Sequence, residues 1–532
     1  MGGFLRFLQW PIMSQRKKLP IGIQTFAKIR EQQAYYYVDK TPHALRLIEQ
    51  GSHFFLSRPR RFGKSLFLDT LKELFEGHRE LFQGLHADSH WDWSVKYPVL
   101  RFSFGGGVIQ DATDLQSRLD SHLQRYESQW HLTPVDQSHP ERFRSLIQHL
   151  AAQTGQRVVV LIDEYDKPIL DRIEDRVRAA EIRDALKDFY SVLKDSDPYL
   201  RFVFLTGVSK FSKVSLFSGL NNLNDITVDA GYSDICGYTE ADVDSVFAPE
   251  LPGLDREQIR AWYNGYNWCG TSVYNPFDLL LLFQKRILRP YWFETGTPTF
   301  LVKLLTERRK FTPLLGHTFA SEQLLSTFDV DNIPTEALMF QAGYLTIDRW
   351  RAIPGRLEFQ LRYPNLEVKA SLNSSLLGAL CGSPSIPDRH ISQLYDLLMA
   401  ADVPGMQALF HAFFASIPHD WYRNNPIAQY EGYWASIFYS YFAALGLDIR
   451  LEDVTNQGRI DMAVLFGGQV YLFEFKVVEL VPEGKALAQL QAKNYAEKYR
   501  ARGEPIHLIG VEWSREGRNI VAFEVQHLEP AV

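Results

Sequence analysis

The stretch HFFLSRPRRFGKSLFLDTL, residues 53–71, decides how the N-terminal half is read. It opens as a short apolar run, turns through charged residues and continues with Leu66, Phe67, Leu71, Leu74 and Phe75 at three- and four-residue spacing, with Gly77 as a stop. That is a strand followed by an amphipathic helix. Gly63-Lys64-Ser65 therefore falls at the turn between them, as the functional half of a phosphate-binding loop. In such a loop the backbone N–H groups of Arg61, Phe62 and Gly63 and the helix N-terminus cradle phosphate. Lys64 reaches the β- and γ-phosphates, and the Ser65 hydroxyl ligates Mg²⁺. Arg58 stands where the first Gly of G-x-x-x-x-G-K-[ST] belongs, so GKS alone is a weak signal that any helix start can carry.

A second element supports it. Ninety-nine residues after Lys64, the all-apolar run VVVLI ends in Asp163-Glu164. A carboxylate at the end of a buried strand can hold Mg²⁺, and the adjacent Glu can polarise an attacking water. The plain alternative is two acids capping a strand. Further strands are expected at Pro98–Phe104, Arg157–Ile162, Tyr199–Thr206 and Asp225–Asp229, separated by helical stretches. This order predicts a parallel α/β sheet with a strand between the loop strand and the acidic one. Thr206, Ser209 or Lys210 would then sense the γ-phosphate of ATP or GTP. Arg58, Arg60 and Arg61 have two readings: phosphate neutralisers or fingers toward a neighbouring copy in a homo-oligomer, or a solvated basic loop paired with nearby acids.

Several longer motifs carry a family resemblance. RPRRFGKSLFLDTL, VVLIDEYDKPI, FLTGVSKFSKVSLFSGLNNL, VYNPFDLLLLF and YWFETGTP occur in order over roughly residues 18–300 and look like the AAA-ATPase-like domain family found mainly in bacterial proteins. That family's pattern shares the missing first Gly.

The C-terminal part offers a different site. RIDMAVLF (459–466) and QVYLFEFK (469–476) flank Gly467-Gly468, a hairpin dipeptide. Glu474 and Lys476 lie two apart and share a face, and the turn can bring Asp461 opposite them. Two carboxylates can bind Mg²⁺, and the lysine can orient water or stabilise developing phosphate charge. Glu431 on the preceding helix can add an acid, and Gln489 and Tyr495 on a helix expected over about residues 484–502 can complete the pocket. Acid-x-Lys on an exposed strand is ordinarily a cross-strand charge pair. Here EFK lies between YLF and VV, and charges in an apolar strand need a metal or each other. GRID, EFK and QLQAKNY resemble the PD-(D/E)XK nuclease superfamily over roughly residues 428–513, in the version fused behind AAA-ATPase-like domains. The resemblance implies a catalytic core of Asp461, Glu474 and Lys476 assisted by Glu431, Gln489 and Tyr495. Ile460 stands where the superfamily's Pro would be.

Composition bounds these readings. The chain has 532 residues, 45% hydrophobic and 23% charged, with a net charge of -6. That is a multidomain globular protein and excludes a polybasic coat on nucleic acid. Cys236, Cys269 and Cys381 are too scattered for a disulfide framework or a Cys-based zinc module, which suits a cytoplasmic location. No apolar run reaches the ~18 residues of a membrane span, and MGGFLRFLQWPIM lacks the marks of a signal peptide. From Glu431 onward 10 Lys+Arg face 14 Asp+Glu, leaving Lys493, Lys498, Arg500 and Arg502 as phosphate contacts. The organisation expected is a disordered leader (1–17, with Met13 as an alternative start), a P-loop ATPase-like domain (18–230), a helical lid or connector (231–390) and a PD-(D/E)XK-type α/β domain (391–532). The function expected is ATP binding and hydrolysis coupled to Mg²⁺-dependent cleavage of nucleic acid, DNA first, in defence or DNA processing. The rival is an ATP-dependent binding or regulatory protein with an inactive nuclease fold.

Overall fold

Every residue of His53–Ser57 (β1) and Val158–Asp163 (β3) is buried, as in strands covered on both faces. With Val99–Ser103 (β2), Leu200–Gly207 (β4) and Asn224–Asp225 (β5) they form a sheet in the order β2-β3-β4-β1-β5. All its pairings are parallel. β4 thus lies between the loop strand and the acidic strand, as the sequence order predicts. The helix Lys64–Glu76 packs on β4 through Phe67–Phe204 and Phe75–Phe202, with ring centroids 5.8 and 5.4 Å apart. Phe102 of β2 meets Phe143 and Phe189 from the helices His139–Thr154 and Arg176–Asp195. β5 is shorter than the expected Asp225–Asp229. Asp225 Oδ1 accepts the Thr227 N–H (3.0 Å), a local turn that takes the chain out of the sheet.

These are coordinates of a computed structural model, which describes residues 16–31, 33–134, 138–210, 222–295, 299–308, 315–316, 318–326, 334–380, 385–416, 431–455, 457–517 and 519–530. Most of the expected leader lies outside them, although Arg16 is placed, its guanidinium donating to Pro249 O at 3.1 Å. The chain divides into two units. One comprises the residues up to Trp292 with Ser321–Phe359; the other comprises Phe293–Ala320 and the residues from Gln360 onward. The stretch read as a helical connector is therefore shared between them. Besides helices it holds Phe319–Ser321 (β6) and a hairpin, Thr346–Ile353 (β7) and Arg356–Arg362 (β8), joined by Pro354-Gly355. No helix among the described residues is long and apolar enough to cross a membrane.

In the second unit Asp448–Val454 (β9), Arg459–Phe466 (β10), Gln469–Val478 (β11), Ile506–Ser514 (β12) and Ile520–Leu528 (β13) form a mixed sheet, ordered β13-β12-β11-β10-β9. The β10–β11 turn has Gly467 and Gly468 at φ 61° and 72°, the left-handed pair that a two-residue hairpin needs. β11 and β12 run parallel, so the chain must cross over between them. The single helix expected there is broken into Lys485–Ala492 and Glu497–Arg500. Asn494 takes a left-handed conformation (φ 45°) and Tyr495 N–H bonds back to Leu490 O, a helix-ending motif in which Asn substitutes for Gly. One face of the sheet, with Trp513 on it, packs against Phe410, Trp434 and Phe438; on the other, Ile460 and Leu472 pack with Leu490 and Tyr495.

At the β12–β13 ladder His507 Nδ1 and His527 Nδ1 approach to 2.7 Å, and the His507 ring stacks on Tyr471. Burial, then the neighbouring His527, push the His507 pKa down to about 4. A folded-state pKa below the unfolded value of about 6.5 means the unfolded chain takes up the proton first. Stability is complete above about pH 6.5 and falls as the pH drops toward about 4. Thermal midpoints recorded across that window should decline by a few degrees more in the unaltered protein than in His507→Phe, which keeps the ring stack without the titration.

Candidate nucleotide site and candidate metal centre

Gly63 caps the helix Lys64–Glu76 at φ 92°, with open space where a side chain would be. A backbone in this conformation favours glycine and leaves the helix N-terminus uncovered. The Lys64 side chain is buried, and its ammonium donates to Arg58 O (2.8 Å) and Pro59 O (2.9 Å). Burial lowers its pKa, opposed chiefly by Asp163. Ser65 is half-buried, and its hydroxyl has no hydrogen-bond partner among the described residues. Arg61 is exposed at φ 70° and lies 4.4 Å from the Phe277 ring. Phe62 is buried edge-on against Tyr266 and Trp268, so only its backbone faces the loop.

Arg58 fits neither reading given to it by sequence. It is fully buried, donates to the backbone carbonyls of Ser57, Thr227 and Tyr232, and stacks 4.0 Å from the Trp268 ring centroid. It braces the loop from behind, touching neither solvent nor an acid.

Asp163 ends β3 with its Oδ1 buried and unpartnered, while Arg101 stands 3.8 Å from Oδ2. Thr206, at the end of the intervening strand, also has a buried hydroxyl without a partner among the described residues. Glu164 follows in a left-handed conformation (φ 54°), and burial, then Asp163, raise its pKa against the pull of Lys64. An orphaned carboxylate oxygen and an open serine hydroxyl are the oxygen donors a hard divalent cation takes. Two other expected γ-phosphate sensors are otherwise engaged. Ser209 bonds Asp166 Oδ2 through both its N–H (2.7 Å) and its hydroxyl (2.6 Å), and the Lys210 ammonium pairs with Asp225 at 2.9 Å. Asp166 went unnoticed in the sequence, yet it is buried and holds the chain leaving β4 beside the acidic motif. A third acid directly after Asp163-Glu164-Tyr165 was the available signal.

In the second unit, antiparallel pairing of Met462 with Phe473 puts Asp461 opposite Glu474 one step further on. Asp461 Oδ2 accepts the Phe475 N–H at 2.8 Å, and the Lys476 ammonium donates to Glu474 Oε1 at 3.0 Å. Glu474 is fully buried and its Oε2 has no partner among the described residues. Burial and the neighbouring Asp461 push its pKa up to about 7, with Lys476 acting in the opposite direction. Two facing carboxylates, one with a buried free oxygen, fit a divalent cation better than they fit each other. Tyr495 is buried with Ile460 and Leu472, and its hydroxyl lies against Gly458 at the start of the GRID strand. Gln489 is half-buried on the helix covering this face and makes no side-chain hydrogen bond among the described residues. Glu431 begins the helix Glu431–Ala444, but its side chain lies outside the described residues.

Glu512, which the sequence reading overlooked, organises this side of the sheet. It pairs in register with Lys476, is fully buried, and accepts N–H bonds from Glu483, Gly484, Lys485 and Ala486 at 2.6–3.2 Å. Burial alone would raise its pKa; those donors outweigh it and lower the value. A carboxylate thus caps the crossover helix at its positive end. Its neighbour on the same face is Gly510, where any Cβ would lie 2.3 Å from Leu487 N, so the helix can sit down only on glycine. An acid inside the apolar run IGVEW was the signal, by the same logic that singled out EFK. Glu512→Ala strands four donors and should destabilise this unit by about 3 kcal/mol or more, read as a shifted denaturant midpoint; Glu512→Gln should lose less.

Three of the four expected phosphate contacts are paired with acids. Lys498 meets Asp453 at 2.5 Å, Arg500 meets Glu497 at 3.1 Å and Arg502 meets Glu504 at 2.5 Å. Lys493 is exposed with no such partner among the described residues.

Comparison with known proteins agrees with these two arrangements. Residues 20–217 match the family described as predicted AAA-ATPase, and residues 429–523 match the PD-(D/E)XK nuclease superfamily. A protein of Azotobacter chroococcum mcd 1, described as an uncharacterized protein in the vnfD 5' region, is 67% identical over 513 residues, covering 96% of this chain and 99% of its own length. No solved structure matches. The order of the two matched regions, the parallel sheet behind the GKS turn and the facing acids of the C-terminal hairpin place the chain in the AAA-ATPase-like family, with a PD-(D/E)XK nuclease superfamily domain at its C-terminal end.

Proposed function

We propose that the protein binds and hydrolyses ATP in its first unit and cleaves nucleic-acid phosphodiester bonds in its second, with DNA as the first substrate to test. The observation that carries the reading is the Asp461–Glu474–Lys476 group, in which a fully buried carboxylate keeps an oxygen without a partner among the described residues. Such an arrangement lowers stability and is retained where function uses it.

Asp461 and Glu474 would hold Mg²⁺ in this reading, and Ser65 and Asp163 would hold the Mg²⁺ that accompanies nucleotide. When bound, the ion supplies positive charge that stabilises the phosphoryl oxygens and lowers the pKa of water. The chain supplies position. The Phe475 N–H fixes the Asp461 carboxylate, and Lys476, held on Glu474, carries its ammonium to the edge where the scissile phosphate would lie. Gln489 on the crossover helix and Tyr495, just past its end, are assigned to the border of that place, and Glu431 is assigned an assisting acid's role. In the first unit Lys64 exchanges its two loop carbonyls for phosphate oxygens, the backbone of Arg61, Phe62 and Gly63 lines the cradle, Thr206 reads the γ-phosphate and Glu164 orients water. A cytoplasmic protein acting in defence or DNA processing, alone or as a homo-oligomer, is consistent with this assignment.

The test is cleavage of single-stranded and duplex DNA and RNA, each with Mg²⁺ or Mn²⁺, in the presence and absence of ATP. Absence of cleavage under every condition removes the nuclease reading and leaves an ATP-dependent binding protein.

A further inference from the structure

The hairpin of β7 and β8 does something neither candidate site requires. Asp348, Arg349, Trp350, Arg351 and Ala352 are exposed in an unbroken run, so neither face of the ribbon is covered there. Pro354, Gly355 and Arg356 are exposed as well. A solvated strand end usually carries small or charged residues; this one carries a tryptophan that is 52% exposed. An indole half in water, where most described aromatics are packed, offers an open face for stacking.

The residues around it indicate which kind. Trp350 is flanked by Arg349, whose side chain is 83% exposed, and by Arg351, 71% exposed. Arg356, across the turn, is 60% exposed. Arg351 and Arg356 both pair with Glu358, so one carboxylate holds two guanidiniums in place without neutralising both. Among the described residues Arg349 pairs with its neighbour Asp348, at 3.7 Å. Three arginines face two acids on an exposed ribbon of a chain whose net charge is -6. Guanidiniums recognise phosphate in a fixed fork geometry, and an exposed indole presents a face on which an unpaired base stacks regardless of its identity. Base pairs in a duplex keep their faces covered by their neighbours, so the tryptophan favours a single strand.

We propose that the β7–β8 hairpin is a contact arm for single-stranded nucleic acid, with Trp350 stacking on a base and Arg349, Arg351 and Arg356 contacting the flanking phosphates. This rests on the nuclease reading for its choice of partner. It places a nucleic-acid contact on residues Asp348–Glu358, in the unit that carries the GKS turn.

The experiment uses the full chain with Asp461→Ala, so that the probe stays whole, and fluorescein-labelled oligodeoxythymidylate against a labelled blunt duplex, read by anisotropy. Trp350→Ala should weaken oligodeoxythymidylate binding about tenfold, and Trp350→Phe should keep most of it. Arg349→Ala should flatten the log–log salt dependence by about 0.7, the share of one single-strand phosphate contact. Thermal midpoints should stay unchanged, since the altered side chains are exposed. Unchanged affinity in Trp350→Ala overturns the arm, as does preferred duplex binding that ignores Trp350. Loss of self-association in Trp350→Ala with DNA affinity intact also overturns it and assigns the ribbon to a second copy of the chain. The two readings fail separately: cleavage lost in Asp461→Ala alongside Trp350-independent binding removes only the arm. Trp350-dependent binding in a protein that never cleaves removes only the nuclease.

Discussion

Asp461→Ala is expected to lower Mg²⁺-dependent cleavage by on the order of 10³-fold, because several kcal/mol of transition-state charge stabilisation goes with a bound divalent ion. The fold should survive: Asp461 accepts the Phe475 N–H, and losing that bond costs about 1 kcal/mol. Glu474→Gln sharpens the test. Its carboxyl has a pKa raised to about 7, above the unfolded value, so the folded state holds the proton longer than the unfolded one. Between the two values stability declines as pH rises, and above about pH 7 the full penalty of a buried charge is present. Glutamine keeps the shape without that penalty. Without metal at pH 8, Glu474→Gln should be more stable than the unaltered protein by on the order of 2 kcal/mol, while its cleavage falls as far as that of Asp461→Ala. Adding Mg²⁺ should raise the thermal midpoint of the unaltered protein and leave that of the variant in place. A merely structural Glu474 predicts the reverse, with stability lost and no midpoint response to the ion. Cleavage that survives both substitutions would sink the assignment.

The group is legible in sequence because it is local. A two-glycine turn fixes the β10–β11 register, and strand alternation does the rest, so GRID and EFK meet by geometry that spacing alone encodes. The turn after β1 is legible for the same reason. What escaped notice depends on partners distant in the chain. Nothing near Arg58 announces that carbonyls at 227 and 232 and the ring of Trp268 will enclose it. Lys498 reads as a free cation until Asp453, 45 residues earlier, closes on it from β9. Glu512 stands out as an acid inside IGVEW, but the donors that satisfy it show only when the crossover helix lands its first turn on it. The β7–β8 hairpin escaped for another reason. Its exposed residues give no hydrophobic alternation, and Pro354-Gly355 was its one clear mark. The break at Asn494 belongs to the same class, since only the left-handed geometry reveals it within a helical composition.

Lys64→Ala should reduce ATP affinity by on the order of 10²-fold, the worth of about 3 kcal/mol of lost charge-assisted bonds to phosphate. The fold complicates the result in a way that can be separated. The ammonium now holds Arg58 O and Pro59 O, so its removal leaves two buried carbonyls short of donors and should lower stability by about 1–3 kcal/mol. A loop that merely collapsed would produce both effects. Arg58→Met separates them: it removes the bonds to Ser57, Thr227 and Tyr232 and should destabilise the unit at least as much, while leaving the lysine and the helix N-terminus for phosphate. Nucleotide affinity measured by calorimetry well below either melting transition should therefore fall sharply in Lys64→Ala and only modestly in Arg58→Met. Glu164→Gln completes the set. Its raised pKa and its position after Asp163 suit a residue that orients water, so the variant should bind ATP as before and hydrolyse it at least about 10²-fold more slowly. If Lys64→Ala binds ATP unchanged, the phosphate cradle is not at Gly63-Lys64-Ser65. If Glu164→Gln hydrolyses at the original rate, water is positioned by another group, and Thr206, with its unpartnered hydroxyl on the adjacent strand, is the next to replace.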